Sequence, residues 1–333
     1  MSEEVNEVVA EAEAVETDHE DESQADQPEV KEPVEKNQYN LDDIPNDEEG
    51  IDLTMTRADH IPQLNRFTKL NDLTMRSNLL KDINTNLLTI TSLVELDLYD
   101  NQLAEIINID CLVNLVKLDL SYNRIREIKG LTTLTKLKVL YLVHNKIDKI
   151  RGLETLTELE LLELGDNRIR KIEGIDHMSK LKELYLGKNK IGMIEGIGKL
   201  TTLQKLSLPA NRLTKLENLD TLIDLEELYV SDQGLDTLQG LSKLQKLTIL
   251  DIANNSISSL EDLAALPLLT DIWANDNKVS SWAQVDKLSN LKHLDTIYLE
   301  RNPIYHEDMT GYRRKIMLSL PTVTQIDATL CRS

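Results

Sequence analysis

A 22-residue repeat is the feature that most constrains how this chain of 333 residues can fold. Its frame is L-x-x-L-x-L-x-x-N-x-I/L-x-x-I/L, as in LVKLDLSYNRIREI from Leu115 and LKELYLGKNKIGMI from Leu181. The asparagine recurs at one constant spacing, and Gln233 takes its place once. The positions are Asn101, Asn123, Asn145, Asn167, Asn189, Asn211, Gln233, Asn255 and Asn277. Such a repeat predicts a solenoid of stacked units rather than one irregular core.

The frame also predicts the structure of each unit. The L-x-L alternation gives a short strand whose leucines point inward and whose intervening residues point outward. Stacked strands form a curved parallel sheet on the concave side, and a buried asparagine can bond the backbone at each turn. The segments after the turn are too short for long helices and predict 3₁₀ or short helical turns on the convex side. The predicted fold is an α/β leucine-rich-repeat solenoid with a C-terminal cap.

The chain divides into three predicted regions. Residues 1–45 are rich in Asp and Glu and predict a disordered acidic tail. Residues 46–300 hold about twelve repeat units, of which a degenerate one near 45–65 is expected to close the N-terminal end. Residues 301–333 predict a cap, with a helix over Tyr312–Leu320. The helix is expected to bury Tyr312, Ile316, Met317 and Leu320.

Charge and cysteine content limit the partners and the compartment. Residues 1–50 carry a net charge of −17 out of −21 for the whole chain. This acidic field disfavours nucleic acid and anionic membranes as partners of the tail. Only Cys111 and Cys331 occur, and no apolar run is long enough to cross a bilayer. We therefore expect free thiols and a location in the nucleus and cytoplasm.

The sequence shows no pattern typical of catalysis. Its six histidines are scattered without metal-ligand spacing, and no glycine-rich phosphate loop or nucleophile elbow is present. Gly130, Gly152, Gly174 and Gly196 recur every 22 residues and are interpreted as turn residues. We therefore predict that the chain is not an enzyme and holds neither a cofactor nor a metal.

One outward row of the predicted sheet is rich in aromatic residues. Five of its eleven members are Tyr or Trp, although aromatic residues are 4% of the chain. We call this row the fifth-position column, counting the first Leu of each unit as one. It contains Thr74, Asp97, Asp119, Tyr141, Glu163, Tyr185, Ser207, Tyr229, Asp251, Trp273 and Tyr298.

The column has a structural and a functional interpretation. Its tyrosines could simply cover neighbouring strands. However, Trp273 is predicted to point outward while Leu269, Ile272 and Ala274 point inward, and Trp and Tyr are enriched at binding hot spots. RNA stacking would need Lys or Arg beside the rings, whereas carboxylates alternate with them. The pattern favours a protein partner that presents Lys and Arg.

The repeat array and cap resemble a known family, the leucine-rich-repeat regulatory subunit of protein phosphatase 1, called regulatory subunit 7 in vertebrates. The resemblance covers about residues 50–333. It is carried by ELDLYDNQ, LELGDNRIR, LGKNKI, WANDN, YLERNP and YRRKIMLSLPTVTQIDAT. It implies a non-catalytic subunit that binds the phosphatase catalytic subunit through the concave face and affects its maturation, availability, or nuclear and mitotic activity. It also implies that a small phosphatase inhibitor protein can join the complex.

The resemblance also implies which side chains make the contact. These are Asp119, Tyr141, Glu163, Tyr185, Trp273 and Tyr298 of the column, with Asp271 at the third position of the Trp unit. The column itself adds Tyr229. Most regulators of this phosphatase use a short motif ending in Phe, but the only Phe here, Phe67, has Asn65 where that motif requires Val or Ile. The alternatives are a ribonucleoprotein scaffold or a cytoskeletal adaptor that uses the same face.

Overall fold

The computed structural model describes residues 35–331, and over that range the chain forms a single 14-stranded sheet in strict sequence order. Strands β1 to β13 are parallel, and β14 turns back antiparallel to β13. The strands are β1 Gly50–Asp52, β2 Asp72–Thr74, β3 Glu95–Asp97, β4 Lys117–Asp119, β5 Val139–Tyr141, β6 Leu161–Glu163, β7 Glu183–Tyr185, β8 Lys205–Ser207, β9 Glu227–Tyr229, β10 Ile249–Asp251, β11 Asp271–Trp273, β12 Thr296–Tyr298, β13 Gln325–Ile326 and β14 Thr329–Leu330.

The core consists of stacked layers of aliphatic side chains. In β11 the central Ile272 is fully buried, while Asp271 and Trp273 are half-buried on the opposite face. Burying one such side chain contributes about 1.5–3 kcal/mol, and each layer repeats the contribution. Leu269 and Ala274 are buried with Ile272, as the alternation predicts. The predicted solenoid is therefore confirmed.

A ladder of buried asparagines connects the units at the turn after each strand. The Asn167 amide donates to the Leu142 carbonyl of the preceding unit at 2.9 Å and to Leu164 of its own turn at 3.1 Å. Its Oδ1 accepts the Ile147 N–H at 3.0 Å. The other ladder asparagines repeat this arrangement, which satisfies backbone groups that the turn would otherwise leave unpaired.

Gln233 keeps the asparagine ladder connected between units. Its Oε1 accepts the Leu213 N–H at 2.9 Å, and its Nε2 donates to the Leu208 carbonyl at 2.5 Å. These are the same two bonds to the preceding unit that a ladder asparagine makes. What differs is its own turn, where Asn255 makes bonds of 3.0 and 3.1 Å that have no counterpart at Gln233 among the described contacts.

The convex side is mostly turns rather than helices. Short 3₁₀ helices occur at Thr85–Thr89, Glu261–Ala265 and Lys287–Asn290 within the described range, and the last follows helix α1, Trp282–Asp286. Elsewhere a left-handed glycine reverses the chain. Gly152 has φ +75°, and an added Cβ would lie 2.3 Å from the Ile128 carbonyl oxygen. This confirms the repeated glycines as turn residues.

The N-terminal end of the array is covered by residues that the sequence placed in the tail. Tyr39, Leu41 and Ile44 pack against the core, and Arg66 donates to the carbonyls of Leu41 and Ile44. The predicted tail, 1–45, is therefore too long by about its last ten residues, because these three apolar side chains cover the exposed first unit. Residues 1–34 lie outside the described part of the chain.

The C-terminal cap consists of α2 (Pro303–Glu307), α3 (Tyr312–Ser319) and the hairpin β13–β14. Tyr312, Ile316 and Leu320 are buried as predicted, but Met317 is 37% exposed. The prediction was wrong for Met317 because it lies one residue beyond Ile316, rotated away from the buried stripe.

The cap rests on the longest convex segment, which an insertion creates between Trp282 and Leu294. The Ser319 hydroxyl donates to Asp286 at 2.7 Å, and the rings of Trp282 and Tyr312 lie 6.2 Å apart. The Lys315 ammonium lies 5.1 Å above the Trp282 ring. The insertion thus provides the surface to which α3 is attached.

Candidate protein-binding face

The structure places all eight predicted contact residues on one face of the sheet. Seven belong to the fifth-position column, and Asp271 lies at the third position of β11. They form two groups separated by Ser207 of β8. The first group is Asp119, Tyr141, Glu163 and Tyr185 on β4 to β7, and the second is Tyr229, Asp271, Trp273 and Tyr298 on β9 to β12.

Trp273 lies at the centre of the second group. Its ring is 5.9 Å from that of Tyr229 and 6.4 Å from that of Tyr298, in tilted and edge-on arrangements. The Tyr298 hydroxyl accepts a bond from Gln325 of the cap at 2.8 Å. Contacts on both sides hold the indole, yet all three rings remain half-buried. They form a preorganised aromatic surface.

Two tyrosines are held by carboxylates of their own strands. The Tyr185 hydroxyl donates to Glu183 at 2.5 Å, and the Tyr229 hydroxyl donates to Glu227 at 2.7 Å. Burial is the main cause and these bonds are the second cause that raise the pKa of both phenols well above the ordinary value. Both hydroxyls are therefore protonated donors over the physiological range, and the rings have fixed directions.

The acidic members of the column have a structural role that the sequence analysis missed. Each carboxylate accepts the backbone N–H two residues further on, where the strand enters its turn. Asp119 accepts from Ser121 at 2.8 Å, and Glu163 accepts from Gly165 at 2.8 Å. This is a local side-chain-to-backbone cap. An acid two residues before a turn residue is the sequence signal that could have indicated it.

Two of these capping carboxylates have no cationic partner among residues 35–331. Burial raises the pKa of Glu163, and the Gly165 N–H offsets only part of that shift. Asp97 pairs with Arg76 at 3.2 Å, whereas Asp119 and Glu163 have no ion pair with any Lys or Arg in the described range. A cation brought by a partner would stabilise the charged form of Glu163.

Asp251 is a member of the column that was not among the predicted contacts. It lies between Tyr229 and Trp273 in the register of adjacent strands, and burial raises its pKa. It accepts the Ser231 hydroxyl at 2.7 Å and the Ala253 N–H at 3.0 Å. Its carboxylate is thus largely occupied by partners within the fold.

A second aromatic row lies on the shoulder beside the first group. The rings of Tyr99 and Tyr122 are 4.9 Å apart, and Tyr122 stacks on His144 at 4.7 Å. His144 contacts Asp166 at 2.6 Å. Tyr122 is 41% exposed and has φ +54°, which is uncommon for a bulky residue. This shoulder extends the aromatic surface from the strands towards the turns.

Phe67 is 2% exposed and lies in the core, so it is not available to a partner. No cluster of three or more potential metal-ligating side chains was found within residues 35–331. In the same range, no helix is long and apolar enough to span a bilayer.

The repeats match two family descriptions. "Leucine Rich repeats (2 copies)" matches residues 91–133 and 113–156, and "Leucine-rich repeat" matches residues 152–230. The chain therefore has the leucine-rich-repeat fold. Solved structures agree on the fold. An internalin from Listeria monocytogenes has a TM-score of 0.70 at 23% identity, covering 84% of this chain and 87% of that one. A leucine-rich-repeat protein from Leptospira interrogans has a TM-score of 0.67 at 26% identity, covering 82% and 76%.

Curated relatives of this leucine-rich-repeat protein are phosphatase regulators by name. The "Protein phosphatase 1 regulatory subunit SDS22 homolog" of Caenorhabditis elegans is 53% identical over 82 residues, which are 25% of each chain. Human "Protein phosphatase 1 regulatory subunit 7" is 59% identical over 39 residues, 12% of this chain and 10% of that protein. The resemblance to the regulatory subunit 7 family is confirmed, although the matched segments span a quarter or less of these relatives.

The same comparisons bear on catalysis. The relatives are named regulatory subunits, and the leucine-rich-repeat fold is a non-catalytic fold for protein interaction. Both findings support the prediction that this protein is not an enzyme.

Proposed function

We propose that this protein is a regulatory subunit that binds the catalytic subunit of protein phosphatase 1 through its fifth-position column. The observation that carries the proposal is the 53% identity to a nematode protein named as a regulatory subunit of that phosphatase. The geometry of the face supports it, because half-exposed rings and unpaired carboxylates suit a protein partner that carries Lys and Arg.

The two groups on the face have different proposed roles. Trp273, with Tyr229 and Tyr298, provides a large rigid area that loses little side-chain entropy on binding. Tyr141 and Tyr185 provide the same in the first group. Asp119, Glu163 and Asp271 orient the partner by pairing with its cations. Because the rings are already held by their neighbours, the face binds as a preformed surface.

The proposal extends to what the regulatory subunit does for the phosphatase. The protein would control the maturation, availability, or nuclear and mitotic activity of the phosphatase, in the nucleus and cytoplasm. A small phosphatase inhibitor protein would join the complex. A ribonucleoprotein or cytoskeletal scaffold remains the competing function. Copurification with small nuclear RNA, instead of phosphatase activity, would indicate the first of these competing functions.

Trp273→Ala tests the aromatic part of the face. Calorimetric titration with the purified catalytic subunit should show binding weakened at least about 30-fold, since a central hot-spot residue contributes 2 kcal/mol or more. Ile223→Ala is the matched control, because Ile223 is apolar and 58% exposed away from the column. Unchanged affinity for Trp273→Ala, with a normal circular dichroism spectrum, would contradict the proposal.

Glu163→Gln tests the acidic part. Glutamine can still accept the Gly165 N–H through its Oε1, so the turn is preserved while the charge is removed. We expect affinity to fall about fivefold or more and to lose part of its salt dependence. Glu217→Gln, at an exposed position outside the column, removes the same charge and should have little effect. Equal effects of the two variants would show that only net charge matters.

A further inference from the structure

A row of cations lies along the turn edge of the array, outside the fifth-position column. One cation directly follows the asparagine in each of five successive units, and its backbone N–H bonds a carbonyl of the preceding unit at 2.8 Å. These bonds hold the row in register at about 4.8 Å per unit. We call it the cation row. Its members are Arg124, Lys146, Arg168, Lys190 and Arg212.

The basic character is strongest in these five central units. The four residues that follow the asparagine in each of them carry ten Lys or Arg and only two acids, Glu127 and Asp148. The equivalent stretches 102–105 and 234–237, on either side, hold no Lys or Arg. A net charge of +8 thus lies on one edge of a chain whose total is −21.

The row is also unpaired. None of its five members has a carboxylate within ion-pair distance among the residues described. Arg124, Arg168 and Arg212 are exposed and so are accessible to a partner. Lysines at the opposite edge behave differently. Lys180 pairs with Glu158 of the preceding unit at 2.5 Å, and Lys246 pairs with Asp224 at 2.6 Å. The cation row therefore concentrates like charge that residues 35–331 do not neutralise, which costs free energy unless anions are supplied to it.

We propose that the cation row binds an acidic helical segment of another protein. A helix brings Glu or Asp side chains to one face about every 5.4 Å, close to the spacing of the row. Each arginine can hold a carboxylate with two parallel bonds. The shoulder of Tyr122 and His144 lies beside the row and offers apolar contact to the same helix. None of the five cations is among the proposed phosphatase contacts, so the two proposals rest on different side chains.

The observations favour an acidic protein over a nucleic acid. Single strands bind where aromatic rings alternate with cations along the whole site, whereas the rings of Tyr122 and His144 lie beside only the first two of the five basic stretches. Glu127 and Asp148 interrupt the strip, and the overall charge of −21 repels a dense polyanion more strongly than a moderately acidic peptide.

The test uses the full chain and a fluorescein-labelled helical peptide with Glu at every fourth residue. Fluorescence anisotropy in 50 mM salt should show saturable binding, lost on raising the salt tenfold. The triple variant Arg124→Glu, Arg168→Glu, Arg212→Glu should weaken binding at least about tenfold, because three pairs become repulsions. The control is Lys243→Glu, Lys292→Glu, Arg314→Glu, which changes the charge equally at exposed sites outside the row. The control should retain the wild-type affinity.

Four results would overturn the proposal. They are no binding by the wild type, equal binding of the Gln version of the peptide, equal losses in both triple variants, and tighter row-dependent binding of single-stranded DNA than of the peptide. Trp273→Ala should bind the peptide normally. Failure of the peptide test therefore leaves the phosphatase proposal standing, and the reverse also holds.

Discussion

The ladder asparagines and the fifth-position column both recur once in every unit. They differ in that the asparagines bond partners inside the solenoid, whereas the column leaves side chains partly exposed to solvent. The Asn167 amide finds all its partners inside the solenoid, and it is buried. Trp273 is held on two sides by rings and remains half-buried. The first pattern is explained by stability alone. The second leaves apolar area and charge exposed, which stability alone does not explain and which fits the proposed binding role.

The largest effect on stability should come from the asparagine turn. Asn167→Ala leaves the Ile147 N–H and the Leu142 carbonyl without their Asn167 partner in a buried site. We expect unfolding free energy to fall by about 2–4 kcal/mol, measured by urea denaturation. Trp273→Ala should cost clearly less, because the ring is only half-buried. A larger loss for Trp273→Ala would reverse the comparison between the two patterns.

The convex turns give the next largest effect. Gly152→Ala forces a methyl group against the Ile128 carbonyl at a left-handed φ. It should destabilise the protein by about 1–3 kcal/mol. Gly192→Ala is the control, since nothing lies within 4 Å of the added Cβ there and its φ is not positive. Thermal unfolding of both variants would show whether the cost arises from the turn or from glycine replacement in general.

A smaller effect is expected at the one irregular turn. Gln233→Asn restores the bonds to the turn's own carbonyls that Asn255 makes. We expect a gain of about 0.5–1 kcal/mol in unfolding free energy. A loss would mean that Gln233 does something other than replace the ladder asparagine.

The smallest effect concerns charge on the face. The pKa of Glu163 is raised in the folded state, so folding favours its protonated form. Wild-type stability therefore falls as the pH rises from the ordinary Glu value through the raised one. Glu163→Gln should stabilise the protein by less than about 1 kcal/mol at pH 7 and by nothing near pH 3. Stabilisation that does not change with pH would exclude desolvated charge as the cause.

The sequence predicted most of the fold because each unit repeats the same strand, the same buried leucines and the same asparagine turn. The spacing of Asn101 to Asn277 determines the register, and the leucines determine the buried face. The ends were harder to predict, because capping depends on single side chains outside the frame. Tyr39 covers the first unit from within the predicted tail, and Met317 points away from the cap core.

The candidate face was predictable in position but only partly in chemistry. Period-two alternation is enough to place Trp273 and the tyrosines outward. It does not reveal that Glu163 bonds the Gly165 N–H, since that depends on the path of the turn. Nor did the frame, read on the strand face alone, show that the five members of the cation row have no ion-pair partner in the described part of the chain. That required the distances between side chains of successive units.

The uninterrupted strand order has a consequence for how such a chain can change. Because every unit bonds only its sequence neighbours, removing residues 189–210 as a block would join two positions that are consecutive in the repeat frame. The asparagine bonds between the two new neighbours would then form as they do elsewhere. The two aromatic groups would then approach by one step and rotate relative to each other. Insertions and deletions that preserve the solenoid therefore change the chain by whole repeats, and the gap between the two aromatic groups changes in the same steps.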